Sequence, residues 1–263
     1  MGNRVPITEE QKKLSYAKYF YKELAPVPEE SIRIAEAGPI DPSKALRVHD
    51  RNRLFEPGYL DTEIGYCVME DGTGFVANLT KMPGVTTEMF DWWFAWHGLG
   101  ELRYCIWDPE DHYSARSLDP AIGRCQTLSM KERYWNTTHV IVEDIGMGPQ
   151  NIHASFRNPK EMGFDSEKIG TEACGTIVTS IAGDDSMSQL MCHFMRNTEE
   201  GTELRTRFWL GWDVVDGKAV KTLPDHESIP EEACHKLLLH NIKEFSNLAS
   251  FLADIYAEEK DNW

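Results

Sequence analysis

The stretch that most constrains the fold runs from Ser228 to Glu259. Ser228 and Glu231 stand three apart in a capping-box arrangement, and Pro230 occupies the first turn, where its missing N–H costs little. No glycine or proline follows before the chain ends, so the pattern predicts one helix of roughly seven to eight turns. At spacings of three and four, Ala233, Leu237, His240, Glu244, Leu248, Phe251 and Ile255 form an apolar stripe with an imidazole and a carboxylate in its middle. Side chains four apart on a helix can reach one atom. On a solvated face such a pair is an ordinary ion pair. Inside a buried stripe the carboxylate demands a cation opposite, because burying it alone costs several kcal/mol. A metal ion meets that demand, and the rest of the chain holds the candidates for further ligands.

Upstream, two segments read differently. Glu9–Leu24 carries Tyr16, Tyr19 and Phe20 on one side and reads as a helix stopped by Pro26 and Pro28. Residues 31–37 read as a second short helix before Gly38-Pro39-Ile40-Asp41-Pro42, a linker. Residues 1–57 are accordingly expected to be a helical appendage, and 58–263 the main domain. From Tyr59 onward the period changes to that of strands: Tyr59–Glu70 and Phe75–Lys81 flank Asp71-Gly72-Thr73-Gly74, a hairpin turn. Thr86–His97 reads as a helix closed by Gly98 and Gly100, with Phe90, Trp93, Phe94 and His97 on one face. So many aromatics serve as core packing or as the wall of a pocket for a flat ligand.

Leu102–Trp107 alternates as a strand and leads to Asp108-Pro109-Glu110-Asp111-His112, which puts His112 beside an acidic turn where it could hold a metal. In the strand His139–Ile145, His139, Ile141 and Glu143 face one way and Val140, Val142 and Asp144 the other. Glu143 is the second candidate for a buried carboxylate; the alternative is a strand-end residue facing water. Further strands are expected at 151–157, 173–182, 188–197 and 203–213, with turns at Gly183-Asp184-Asp185 and Glu199-Glu200-Gly201. His193 shares a face with Gln189, Met191 and Met195, as a hydrogen-bonded core residue or a catalyst. Thr206, Phe208, Leu210 and Trp212 face opposite Arg205, Arg207 and Trp209. This order of elements fits an α+β fold in which a curved antiparallel sheet grips a long C-terminal helix and encloses a cavity.

Composition narrows the function. A net charge of −16 argues against nucleic acid and against anionic membranes as partners. The polar stretch from Met1 to Glu10 is no signal peptide, and no apolar run reaches the ~20 residues a membrane span needs, so the cytoplasm is the expected location. Six scattered cysteines without a Cys-x-x-Cys are expected to be free thiols and exclude a zinc ribbon. No Gly-rich phosphate loop is present, so no organic cofactor is expected. A zinc peptidase fits poorly, since there is no His-Glu-x-x-His.

Together, His112, Glu143 and His240-x-x-x-Glu244, with Trp92-Trp93…Trp96-His97…Arg103-Tyr104…Trp107-Asp108-Pro109, resemble the phloretin hydrolase and 2,4-diacetylphloroglucinol hydrolase family over roughly residues 59–260. The resemblance implies a helix-grip fold of the Bet v 1 type, a helical N-terminal appendage and a homodimer. It also implies hydrolysis of the carbon–carbon bond joining an acyl group to a polyhydroxylated ring, a small-molecule acylphenol substrate. By residue match it implies His112, Glu143, His240 and Glu244 as metal ligands, with Tyr104 and His193 near substrate. Two imidazoles and two carboxylates suit Zn2+, with iron or manganese compatible by ligand type. The competing expectation is a non-catalytic helix-grip carrier of hydrophobic phenolic ligands.

Overall fold

The hairpin at residues 71–74 starts an almost continuous meander. In the computed structural model, which describes residues 3–184 and 187–263, β1 (Gly65–Val68) pairs with β2 (Gly74–Pro83), with Val68 opposite Gly74. After β2 comes α3 (Thr87–Trp96), preceded in the chain by α1 (Ala17–Tyr21) and α2 (Glu29–Glu36). Next are α4 (Glu101–Cys105), β3 (His112–Ser117), the short α5 (Pro120–Gly123), β4 (Thr138–Glu143) and β5 (Gln150–Arg157). Then follow β6 (Thr176–Gly183), β7 (Ser188–Thr198), β8 (Gly201–Leu210) and the small ribbon β9 (Trp212–Val215) and β10 (Lys218–Lys221). Two helices, α6 (Glu231–Ala249) and α7 (Leu252–Glu259), close the chain. Eight strands form one curved antiparallel sheet in the order β1-β2-β8-β7-β6-β5-β4-β3. The protein is thus a mixed α+β fold with a large antiparallel sheet and C-terminal helices. Of the expected turn Gly183-Asp184-Asp185, Asp185 lies outside the described residues.

Both faces of the sheet are covered. Phe208 and Leu210 of β8 turn toward α6 with Val76 and Tyr66, packing against Leu237, Leu238 and Ile242. Trp209 points the other way and donates its indole N–H to Leu46 O at 2.7 Å, under a layer that includes Leu54, Phe55, Met162 and Phe164. On the same outer side Arg205 and Arg207 are fully buried, each at 2.6 Å from an oxygen of Glu63. The predicted face division holds within β8, whereas Trp212, expected on the Phe208 side, lies past Gly211 in β9 and packs with the Trp209 cluster; the charged face is buried because one carboxylate bridges two guanidinium groups. The N-terminal segment joins the main core: Tyr16 packs on Trp96 at 5.0 Å and Tyr19 on Phe251 at 5.4 Å.

Three local expectations are corrected. Leu102–Trp107 is not a strand: residues 101–105 are α4, with Leu102, Arg103, Tyr104 and Cys105 all buried. The alternation was deceptive because Arg103 counts as polar yet lies buried, with its guanidinium 4.3 Å from the Trp96 ring centroid. A short run of this kind cannot be assigned by period alone. The C-terminal helix is not continuous either. Ser250 caps α6 and Phe251 leaves helical geometry at φ −138°, ψ −7°. Ser246 and Ser250 donate their hydroxyls to Ile242 O and Asn247 O at 2.6 and 2.7 Å, a back-bonding that loosens a helix. The break lets the Phe251 ring reach Trp93 at 5.8 Å. Finally, no capping box forms at Ser228; Pro230 is the N-cap, without a side-chain cap, and Ser228 donates to Ile229 O.

Candidate metal centre

The α6 stripe delivers His240 and Glu244 side by side onto the inner face of the sheet, both buried. β3 and β4 pair so that His112 lies opposite Glu143, and this edge of the sheet faces the middle of α6. His112 Nε2 comes within 3.3 Å of His240 Nε2, 3.6 Å of Glu244 Oε2 and 3.9 Å of Glu143 Oε2. Ligand atoms of His112, Glu143 and His240 all lie within 4.8 Å of one another. The four side chains therefore come from three elements distant in the chain.

The surroundings of the two rings decide what their facing nitrogens carry. His112 Nδ1 lies 3.3 Å from Tyr104 O, a carbonyl that can only accept, so its proton sits on Nδ1 and Nε2 is bare. His240 Nδ1 faces Asp111 Oδ2 at 3.8 Å, an ion-pair distance rather than a hydrogen bond, and the surrounding acids keep the metal-free ring protonated, so its Nε2–H points at the bare His112 Nε2. Two ring nitrogens 3.3 Å apart converge on one point, which a shared proton fills in the metal-free protein and which a metal ion would fill in its place. Two nitrogens bound at 2.0–2.1 Å to one tetrahedral ion stand about 3.3–3.4 Å apart. The donor set fits a divalent metal.

The electrostatics agree. Burial raises the Glu244 carboxyl to about 8, against the pull of His240 and with the push of Glu143. Burial would lower His240, but Asp111 and the acids Glu244 and Glu143 outweigh it and hold the ring at about 9. His112 is driven well below its ordinary value by burial and by His240. Protons and strained charges thus occupy positions that a metal ion would relieve.

Supporting contacts hold the candidate ligands. Tyr104 stacks flat on His112, centroids 4.0 Å apart, and donates its hydroxyl proton to Glu143 Oε2. Asn241 donates to Glu244 Oε1 at 2.8 Å and is itself fixed by Asn78 of β2 at 2.9 Å. Lys243 bridges Asp108, Glu110 and Asp111 at 2.8–3.1 Å, and Asp108, Asp111 and His240 make a second close group of possible ligand atoms. Sequence reasoning singled out Tyr104, as a residue near substrate, but missed Asn241, Asn78 and Lys243. Asn241 was legible in principle, three residues before Glu244 on the same helix; Asn78 had no local signal, since it meets Asn241 only through packing.

His193 lies elsewhere in the same cavity. Its Nδ1 is 2.9 Å from Thr206 Oγ1, its ring packs on Phe245 at 4.8 Å, and burial lowers it to about 3, so it is neutral. No direct contact joins it to the four ligand candidates among the described residues. The cavity is walled by Phe94, Trp107, Phe156, Met191 and Phe208, and His97 and His139 also reach it. The expected choice between core packing and pocket wall dissolves, because α3 does both: Trp92 and Trp96 stack at 4.9 Å inside the core while Phe94 and His97 line the space. That space is tight, about 70 Å³, room for two or three waters at ~30 Å³ each. A two-ring ligand enters only when flexible side chains such as Met191 and Gln189 give way.

The DAPG hydrolase PhiG domain family matches residues 46–257. The chain is similar to phloretin hydrolase of Eubacterium ramulus, 44% identical over 100% of this chain and 96% of the relative. It is also similar to 2,4-diacetylphloroglucinol hydrolases of Pseudomonas protegens and of a Pseudomonas species. Both are 29% identical over 92% of this chain and over 84% and 87% of those proteins. No described helix is long and apolar enough to cross a membrane.

Proposed function

The chain belongs to the DAPG hydrolase PhiG domain family, and on that premise we propose that it hydrolyses the carbon–carbon bond between an acyl group and a phloroglucinol ring. The substrate class we assign is phloretin and related acylphenols, with phloroglucinol and 3-(4-hydroxyphenyl)propanoate as the products from phloretin. One observation carries the reading: two imidazole nitrogens converging at 3.3 Å beside the buried Glu244 and the partly buried Glu143 carboxylates, at the edge of an aromatic cavity.

We assign the metal to His112, Glu143, His240 and Glu244 and its identity to zinc, with iron or manganese compatible with the same donors. A divalent ion there supplies Lewis acidity toward an acyl carbonyl and lowers the pKa of a water near it. The remaining chemistry falls to side chains. An aryl carbanion is too poor a leaving group to be expelled directly. Protonation of the ring carbon first converts the polyphenol into a keto tautomer. Addition of water at the acyl carbon then breaks the bond between it and the ring carbon. The electron pair leaves as an enolate, which returns to the phenol on reprotonation of oxygen.

The aromatic walls hold the flat ring and exclude water. His193, neutral and anchored through Thr206, takes up and passes on the proton destined for the ring carbon. Tyr104 has committed its hydrogen to Glu143, which leaves its oxygen to accept from a phenolic hydroxyl of the ring. We further propose the helix-grip, Bet v 1-like description of the fold, a division into residues 1–57 and 58–263, a homodimer and a cytoplasmic location.

Metal analysis of the purified protein, followed by incubation with phloretin and product identification, tests this. The expected result is stoichiometric metal and release of phloroglucinol, with both lost in Glu244→Ala. Unchanged binding of phenolics by a metal-free protein would instead establish the carrier, and an active, metal-replete Glu244→Ala would refute the ligand set.

A further inference from the structure

Four residues before Glu143 on β4, and on the same face, stands His139; beside it is His97, from the end of α3. The reaction proposed above uses neither. Both are buried, 4% and 2% exposed, with ring centroids 5.3 Å apart and planes at 72°. His97 Nδ1 lies 2.9 Å from Trp93 O, so its proton is there and Nε2 is an acceptor. His139 Nδ1 has no hydrogen-bond partner among the described residues, a costly state for a buried polar atom. The arrangement is built rather than incidental. A Cβ placed on Gly98 would stand 2.1 Å from His139 Cε1, so only a glycine there leaves room for the ring. The surroundings, Phe94, Trp107 and Phe156, are aromatic, and neither ring has an ion-pair partner among the described residues. Burial keeps both imidazoles neutral, so that His97 offers its Nε2 acceptor while the His139 ring supplies a donor.

We propose that His97 and His139 form a subsite for the distal phenolic hydroxyl of the acyl arm, and so select a hydroxyphenylpropanoyl group over a short acyl group. The proposal rests on the hydrolase reading of the metal centre. A neutral phenol, itself one donor and one acceptor, matches a neutral imidazole pair in both kind and charge. Backbone length is compatible with the match: four residues of strand put the Cα atoms of His139 and Glu143 about 13 Å apart, with both side chains on one face. From the acyl carbon to the distal hydroxyl oxygen of an extended arm is about 8 Å by bond lengths, to which metal contact (~2 Å) and a hydrogen bond (~2.8 Å) bring the total to about 13 Å. An acetyl group cannot bridge that distance.

The test compares phloretin with the analogue that lacks only the distal hydroxyl, using the intact metal-loaded protein. The native protein is expected to favour phloretin at least tenfold in kcat/KM, mainly through KM, because the analogue leaves the imidazoles unpartnered. In His139→Leu and in His97→Leu that ratio should fall toward one. A native ratio near one, or a soluble variant that keeps the native ratio, overturns the subsite. Should either variant fail to fold, the two compounds on the native protein still decide. Calorimetric binding of both compounds separates the two readings. Equal affinities overturn the subsite; unequal affinities without any phloroglucinol release overturn the hydrolase assignment and leave the subsite standing.

Discussion

Replacing Glu244 by glutamine should act with opposite signs on the metal-free and metal-loaded protein. The side chain is buried, and burial is the main cause that lifts its carboxyl from 4.5 to about 8. Metal-free, the folded state therefore keeps a proton that the unfolded chain releases above 4.5. Stability falls as pH rises through the window from 4.5 to 8, at about 1.4 kcal/mol per pH unit for one proton, or on the order of 5 kcal/mol at most. His240 works in the same direction. Its ring is held at about 9, above the ordinary 6.5, so its contribution is complete below 6.5 and lost as pH climbs to 9. Glutamine abolishes the Glu244 share while its amide oxygen still accepts from Asn241, whose side-chain amide lies 2.8 Å from Glu244 Oε1. Because Glu244 also supports the His240 imidazolium, part of the gain is given back, leaving about 2 kcal/mol. For a chain of this size that is roughly 4–8 °C in Tm. Scanning calorimetry of chelator-stripped protein should show equal Tm values near pH 4.5 and a higher Tm for the variant at pH 8.5. With metal present the order reverses, and competition with a chelator should show affinity reduced by more than about 100-fold, since a direct ligand is lost rather than an outer contact worth 10–100-fold. A stripped variant less stable than native at pH 8.5, or one that keeps native metal affinity, would refute the electrostatic argument.

Two further outcomes are expected. Glu63→Gln leaves the buried Arg205 and Arg207 uncompensated and should cost about 3–5 kcal/mol by urea unfolding without changing metal content; a loss below about 1 kcal/mol would contradict the bridging role. Burial opposes its ionisation, but the two arginines hold Glu63 at about 2. The native bridge is therefore at full strength above 4.5 and weakens as pH falls toward 2. His193→Ala should lower kcat at native metal content, and the pH profile between 5 and 8 should not shift, because the ring is already neutral there; full activity across that range would discard the proton-shuttle role.

Features encoded in neighbouring residues could be read from the chain alone. The four-residue spacing of His240 and Glu244 placed them on one helical face, and the alternation in residues 139–143 put His139, Ile141 and Glu143 on one side of a strand. The glycine turn at 71–74 and the opposed faces of β8 were legible for the same reason: backbone period is a local property. What the period left open was decided by contacts between distant segments. Arg103 looked like the polar half of a strand until its guanidinium lay on Trp96 and the segment coiled into α4. The long final helix broke where Phe251 gained a better place in the core than on a helical stripe. The protonation of the two facing nitrogens depends on Tyr104 O and Asp111, and the fixing of Glu244 depends on Asn78 through Asn241. These are through-space relations set by the curvature of an eight-stranded sheet around α6, and residue order alone carries no trace of them until the sheet has closed.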